Sequence, residues 1–282
     1  MSIQQTFESP PQEYITDSLR PPIPNRDSTA IWHMRTLSDV MYCSQDLKYA
    51  RGTWGYTILR TVYTEESDLL FPIAVKKLQK WVTEFWVHWR RFPRWGEKGE
   101  EGRKSNGSVN DEIARRFCVE VIEDEENLNI PKLKDANLED IKLLCDRFSS
   151  WAISVGGDPE ERGFATTPRM LLFLAVDSTS LHDLVKLSDE TPPQRTPRDL
   201  QERIQWRNRG DSWLWLFDYQ SIRDYDPSTD PPSYRGWMKL EVADIEQAWF
   251  YKAGRLDKDD KTVECKLTEE TDGSMGFWCH GI

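Results

Sequence analysis

The order of periodic segments predicts an α+β fold: a mostly antiparallel, ferredoxin-like sheet covered by helices, with long polar loops and flexible ends. Three observations lead there. An aromatic and β-branched run, Trp54 to Tyr63, feeds directly into a helical pattern. Met170 to Val176 is nearly continuous in apolar residues, as in a strand buried on both faces. Trp213–Tyr219 and Trp237–Val242 read as two further strands, joined by a turn-rich segment with Pro227, Pro231 and Pro232.

Taken in order, residues 1–30 carry Pro10, Pro11, Pro21, Pro22 and Pro24 among polar neighbours and read as a flexible tail before a single domain over 31–255. In the first strand, Tyr56, Ile58, Arg60 and Val62 share one face, and Thr57, Leu59, Thr61 and Tyr63 the other. Thr64 or Ser67 can cap the helix that follows, whose first turn holds Glu65, Glu66 and Asp68 against the positive end of the helix dipole. Pro72 falls early enough to be tolerated. Leu70, Ala74, Leu78, Trp81 or Val82, and Phe85 form its buried stripe; Arg90 and Arg91 suit its C-terminus and Pro93 ends it.

Residues 96–110 read as a polar surface loop. The stretch 110–124 fits helix and strand equally, because Ile113, Phe117 and Val121 recur every four residues while Phe117, Val119 and Val121 alternate. Asn137 opens an amphipathic helix through Leu138, Ile141, Leu144, Phe148 and Trp151 that stops near Gly156 and Gly157. After the buried strand, Ser178 or Thr179 caps a short helix with Leu181, Leu184 and Leu187. Thr191–Arg198 is a proline-rich loop, Ala243–Tyr251 a further helix, and 256–282 a hairpin arm or tail.

The chain has 282 residues, 38% of them hydrophobic, and includes 13 Trp, each able to bury a large surface. Its net charge of −11 opposes binding to phosphate backbones and anionic lipid, so neither nucleic acid nor membrane is expected as a partner. No run reaches the roughly 18 to 20 apolar residues of a membrane helix. Five scattered cysteines, at 43, 118, 145, 265 and 279, lack disulfide-framework or metal spacing and point to a reducing, cytoplasmic or nuclear setting.

Trp54–Tyr63, Asp211–Asp218 and Tyr234–Lys239 together resemble segments of a group of uncharacterised filamentous-fungal proteins, over roughly Ile31 to Tyr251. That resemblance implies no activity, cofactor or active site.

Nucleophile elbow, zinc helix, Walker loop and dinucleotide turn are all absent. The acidic loop Asp224–Asp230 lacks the glycine and closing carboxylate of a calcium site, and Cys265, Cys279 and His280 lack a fourth zinc ligand; no metal or cofactor is expected. The arginines and tryptophans between Trp86 and Trp95 read as a helix end covering core. Two functional readings remain. In the first, Arg60, Trp213, Trp215 and Trp237 share a sheet face that binds a small aromatic or anionic ligand, in a non-catalytic module that also engages a protein partner or a second copy of itself. In the alternative, Asp177, His182 or Asp218 carries protons in the sheet–helix cleft of a small-molecule enzyme while Arg60 holds an anion.

Overall fold

Helical crossovers, not hairpins, join the first three strands. The computed structural model describes residues 7–10, 28–84, 109, 111–161, 166–187, 189, 212–226, 228, 235–254, 267–269 and 275–277. Helix α1 (Ser28–Cys43) precedes β1 (Thr57–Arg60), and α2 (Glu65–Glu84) leads towards β2 (Glu120–Ile122). The short α3 (Glu125–Leu128) and the long α4 (Leu138–Ser154) follow, then α5 (Pro168–Leu171), β3 (Leu172–Val176) and α6 (Ser178–Val185). Next come β4 (Trp213–Asp218), α7 (Tyr219–Arg223), β5 (Trp237–Glu241) and α8 (Ile245–Ala253), with β6 (Leu267–Glu269) and β7 (Met275–Phe277) last.

The strands form one sheet in the order β2-β1-β3-β4-β5-β7-β6. β1 runs parallel to both β2 and β3, and β5 parallel to β7; β3/β4, β4/β5 and β6/β7 are antiparallel. The fold is therefore α+β with a mixed sheet, which corrects the expectation of a mostly antiparallel one, and the ferredoxin-like strand order is not reproduced. The cause lies in the connections. The chain passes through α2 between β1 and β2 and through α4 between β2 and β3, and a helical crossover between strands of one sheet returns the chain in the same direction. The stretch 110–124 satisfies both of its periodicities in turn, with 111–115 helical and 120–122 in β2.

Helices pack on both faces of the strands β1, β3, β4 and β5. Ile58, Leu174, Leu214, Leu216, Met238 and Leu240 pack beneath α1, α2, α6 and α8. Leu59, Phe173, Trp215 and Phe217 pack beneath α4 with Ile222 of α7. On this second face Phe148 of α4 stacks on Phe173 (centroids 4.5 Å apart), which stacks on Phe217 (4.8 Å, planes 9° apart). Such pairs contribute about 0.5–1.5 kcal/mol each beyond simple burial.

Local chemistry explains the helix ends. Thr64 caps α2 with Ser67 reciprocating, since each side-chain oxygen accepts from the other's backbone N–H. Pro72 sits beyond the first turn, inside α2, and leaves the Asp68 carbonyl without its i+4 donor. Its exposed position lets solvent supply that donor. Asn137 and Asp140 form a capping box on α4, and at the other end Gly156 (φ +85°) turns the chain so that the Gly157 N–H reaches the Ala152 carbonyl. The expected continuation of α2 through Phe85, Arg90 and Arg91 to Pro93 and the 191–198 loop lie outside the described residues; of the 96–110 loop only Val109 is described, and it is helical and buried rather than a polar surface residue.

Of the expected N-terminal tail, residues 7–10 are described, and Phe7 among them is held against the rest of the chain. Phe7 donates its N–H to the Arg51 carbonyl at 2.8 Å and its ring lies under the Arg115 and Arg116 guanidiniums. Helix α1 starts at Ser28, ahead of the expected domain start at 31. At the other end, β6 and β7 pair as a hairpin that extends the sheet beyond β5.

Candidate functional site

Strand register decides which predicted residues can meet. Leu59 pairs with Ala175 and Ala175 with Trp215, so these three share a face; Arg60 pairs with Val176 one step on and leaves from the opposite face. Arg60 therefore does not join the tryptophans. Its Nε donates to the Val62 carbonyl (2.9 Å), Nη1 to Glu123 (2.9 Å), and Nη2 to Ser67 (3.0 Å) and to Asp68. Tyr63 and Phe71 flank the guanidinium. Burial pushes its pKa down, but the hydrogen bonds to Asp68 and Glu123 outweigh burial and hold the pKa above its ordinary value. Arg60 clamps the end of β1 to α2, with four of its five N–H donors in use.

In open sheets with parallel strands, ligands commonly enter at the carboxyl ends where connections diverge. Here that crevice, between β1 and β3, is filled by the chain itself. The Ile130 N–H donates to the Thr61 carbonyl (2.9 Å), Ser178 N–H to the Pro131 carbonyl (3.1 Å), and Leu133 N–H to Asp177 Oδ2 (3.0 Å). Asp177 is the centre of this closure and is only 2% exposed. It also accepts from the Trp215 indole N–H (3.1 Å), and from the backbone N–H (2.9 Å) and hydroxyl (2.8 Å) of Ser180. Asp177, rather than Ser178 or Thr179, is the cap of α6. The reason is positional: the residue leaving a strand still has extended backbone and can turn its carboxylate onto the first helical turn.

The remaining proton-carrier candidates are elsewhere. His182 is exposed on α6. Asp218 is opposite Leu172 at the other end of the sheet from Asp177. Fully buried, its carboxylate pairs with the Lys252 ammonium at 2.8 Å and accepts from the Ser221 N–H at 3.3 Å. Arg60, His182 and the two carboxylates are not gathered into one cleft.

The tryptophans are on one face, with unequal exposure. Trp213, Trp215 and Phe217 alternate along β4, opposite Glu241, Lys239 and Trp237 on β5. Trp215, 2% exposed, is core beneath α4. Trp213 and Trp237 are half-buried at the margin of that core, with half-buried Lys239 between them. Trp213 meets Trp215 edge to face (5.3 Å, 88°), the Lys239 ammonium is 4.4 Å from the Trp213 ring centre, and Arg235 is 6.0 Å from that of Trp237. Sequence alternation identified this strip; it carried no sign of which indole α4 would cover.

Among the described residues no cluster of three or more His, Cys, Asp or Glu side chains is placed to hold a metal, and no helix is long and apolar enough to cross a membrane. Cys265, Cys279 and His280 lie outside them, as do Trp86–Trp95 and Asp230. Within the acidic turn, Asp226 accepts from the backbone N–H and hydroxyl of Ser228, which makes it a local turn former. No protein-family model, curated protein or solved structure matches this chain.

Proposed function

We propose that the protein is a non-catalytic binding module, and that a planar, anionic organic molecule is its ligand on the strip Trp213–Lys239–Trp237. The carrying observation is a pair of half-buried indoles on neighbouring strands, flanked by the cations Lys239 and Arg235. Half-buried rings are held by the core below and keep area for stacking, so little ordering is lost on binding. Local cations draw the anion in against a net charge of −11, an attraction that salt weakens. The same strip is the surface on which a protein partner or second copy would dock. Free thiols at Cys43, Cys118 and Cys145 support assignment to a reducing compartment such as the cytoplasm.

Titration of tryptophan emission with a panel of aromatic carboxylates tests this reading. Saturable quenching is expected, reduced at least tenfold in apparent affinity by Trp213→Ala and steepened at low salt. A flat titration across the panel removes the ligand. Concentration-dependent light scattering abolished by Trp213→Ala would instead assign the strip to self-association.

A further inference from the structure

Helix α1 turns two large aromatic side chains away from the core. Trp32 is 46% exposed and Tyr42 79% exposed, on a helix whose opposite face buries Met34, Leu37, Val40 and Met41. Between them stand half-buried Arg35 and exposed Asp39. At about 100° per residue these four positions fall within a sector of about 80°, so they form one outward strip roughly 15 Å long. Trp32 is held from below. Its ring centre lies 6.5 Å from that of Phe250 in α8, and a Cβ at Gly254 would meet it at 3.3 Å. Its outer surface therefore needs little ordering to receive a partner.

The strip is self-complementary. Trp32 and Tyr42 stand five positions to either side of the level of Leu37, and Arg35 and Asp39 stand two positions to either side. A two-fold axis at that level, perpendicular to the helix, sets a second copy antiparallel to the first. It places Trp32 opposite the partner's Tyr42 and Arg35 opposite the partner's Asp39, and each contact occurs twice. A parallel arrangement would set Arg35 against Arg35 and Asp39 against Asp39, like against like. The net charge of −11 drives copies apart at long range, and the two cross pairs offset that repulsion where the helices meet. Because the strip slants across the helix, the two helices cross obliquely.

We propose that α1 is the contact helix of an antiparallel, two-fold symmetric dimer of this chain, held by Trp32 on Tyr42 and by Arg35 on Asp39. Helix α1 packs on the sheet face opposite the one that carries Trp213, Lys239 and Trp237, so dimerisation leaves the ligand strip open on both copies. A strip of this length covers less than the roughly 800 Å2 per partner of a standard interface, and the dimer dissociates on dilution.

Sedimentation velocity of the full chain over a concentration series tests the dimer. A reversible monomer–dimer equilibrium is expected, weakened about tenfold or more by Tyr42→Ala, whose side chain lies almost wholly outside the fold, and unchanged by Trp213→Ala. Arg35→Asp alone and Asp39→Arg alone should each stay monomeric where the parent dimerises, because each sets like charges together twice. An equimolar mixture of those two variants should dimerise, since the mixture restores both cross pairs; a purely structural role for either residue gives no such rescue. Should either single variant fail to fold, the double exchange Arg35→Asp with Asp39→Arg must dimerise like the parent. A chain that stays monomeric up to about 1 mM overturns the proposal. So does a dimer that survives Tyr42→Ala, a mixture that stays monomeric, or a dimer that Trp213→Ala abolishes, which returns self-association to the tryptophan strip. Tryptophan-emission titration with aromatic carboxylates is unaffected by Tyr42→Ala, so the dimer and the ligand site fail separately.

Discussion

Asp218 and Lys252 form a charge pair with almost no access to water. Removing one partner leaves the other buried and uncompensated, so Asp218→Asn or Lys252→Met is expected to cost about 3–5 kcal/mol in urea unfolding, and the apolar double replacement Asp218→Leu with Lys252→Met much less. If the single and double variants lose the same amount, packing rather than charge holds α8 to β4. Tyr219 gives a pH dependence. Burial first, and the hydrogen bond to Glu160 second, push its phenol up to about 12. The folded protein then keeps a proton that the unfolded chain loses near about 10. This stabilisation is complete below pH of about 10 and fades as pH climbs towards about 12. Melting temperatures across that range should fall less steeply in Tyr219→Phe than in the parent. At this scale the sequence made residue types legible but not partners. Asp177 follows a buried strand and precedes Ser-Thr-Ser, a setting shared by helix caps and catalytic acids, and only its four donors separate the two.

Elements were legible where one periodicity ran unopposed. β1, α4, β3, β4 and β5 follow from alternation, a capping asparagine or an unbroken apolar run. β2 did not, because three strand residues adjoin a helical turn within one window. Helix α1 escaped as well: Met34, Leu37, Val40 and Met41 are buried, but exposed Trp32 and Tyr42 blur the stripe. The approach of β1 to β2 depends on Gly55, whose φ is +125° and where a Cβ would meet the Cys118 carbonyl oxygen at 2.2 Å. Cys118 N–H bonds the Trp54 carbonyl at 2.9 Å alongside, so the strand entry cannot move away freely. Gly55→Ala should therefore lose at least about 2 kcal/mol of stability by denaturant titration, from backbone strain and the displaced pairing. A loss below about 0.5 kcal/mol would show that this junction yields.

Across the whole molecule, function reads less directly than fold. Two face periodicities located a tryptophan strip, but whether Arg60 shared its side depended on register, which pairing between distant strands sets and no local pattern encodes. Closure of the β1/β3 crevice by residues 130–133 was equally invisible, since that segment has no sequence mark beyond Pro131. The mixed sheet also implies an order of assembly. Phe217 opposes Trp237 across a short separation along the chain, whereas Thr57 must find Glu120 and Phe173. Closing the longer loops costs more entropy before any contact repays it. Pulse-labelled hydrogen exchange during refolding should then protect β4 and β5 amides before those of β1 and β2. On a ribosome the timing inverts: β1 and β2 emerge first and wait for β3, leaving their edges open to a chaperone until residue 176 has been made.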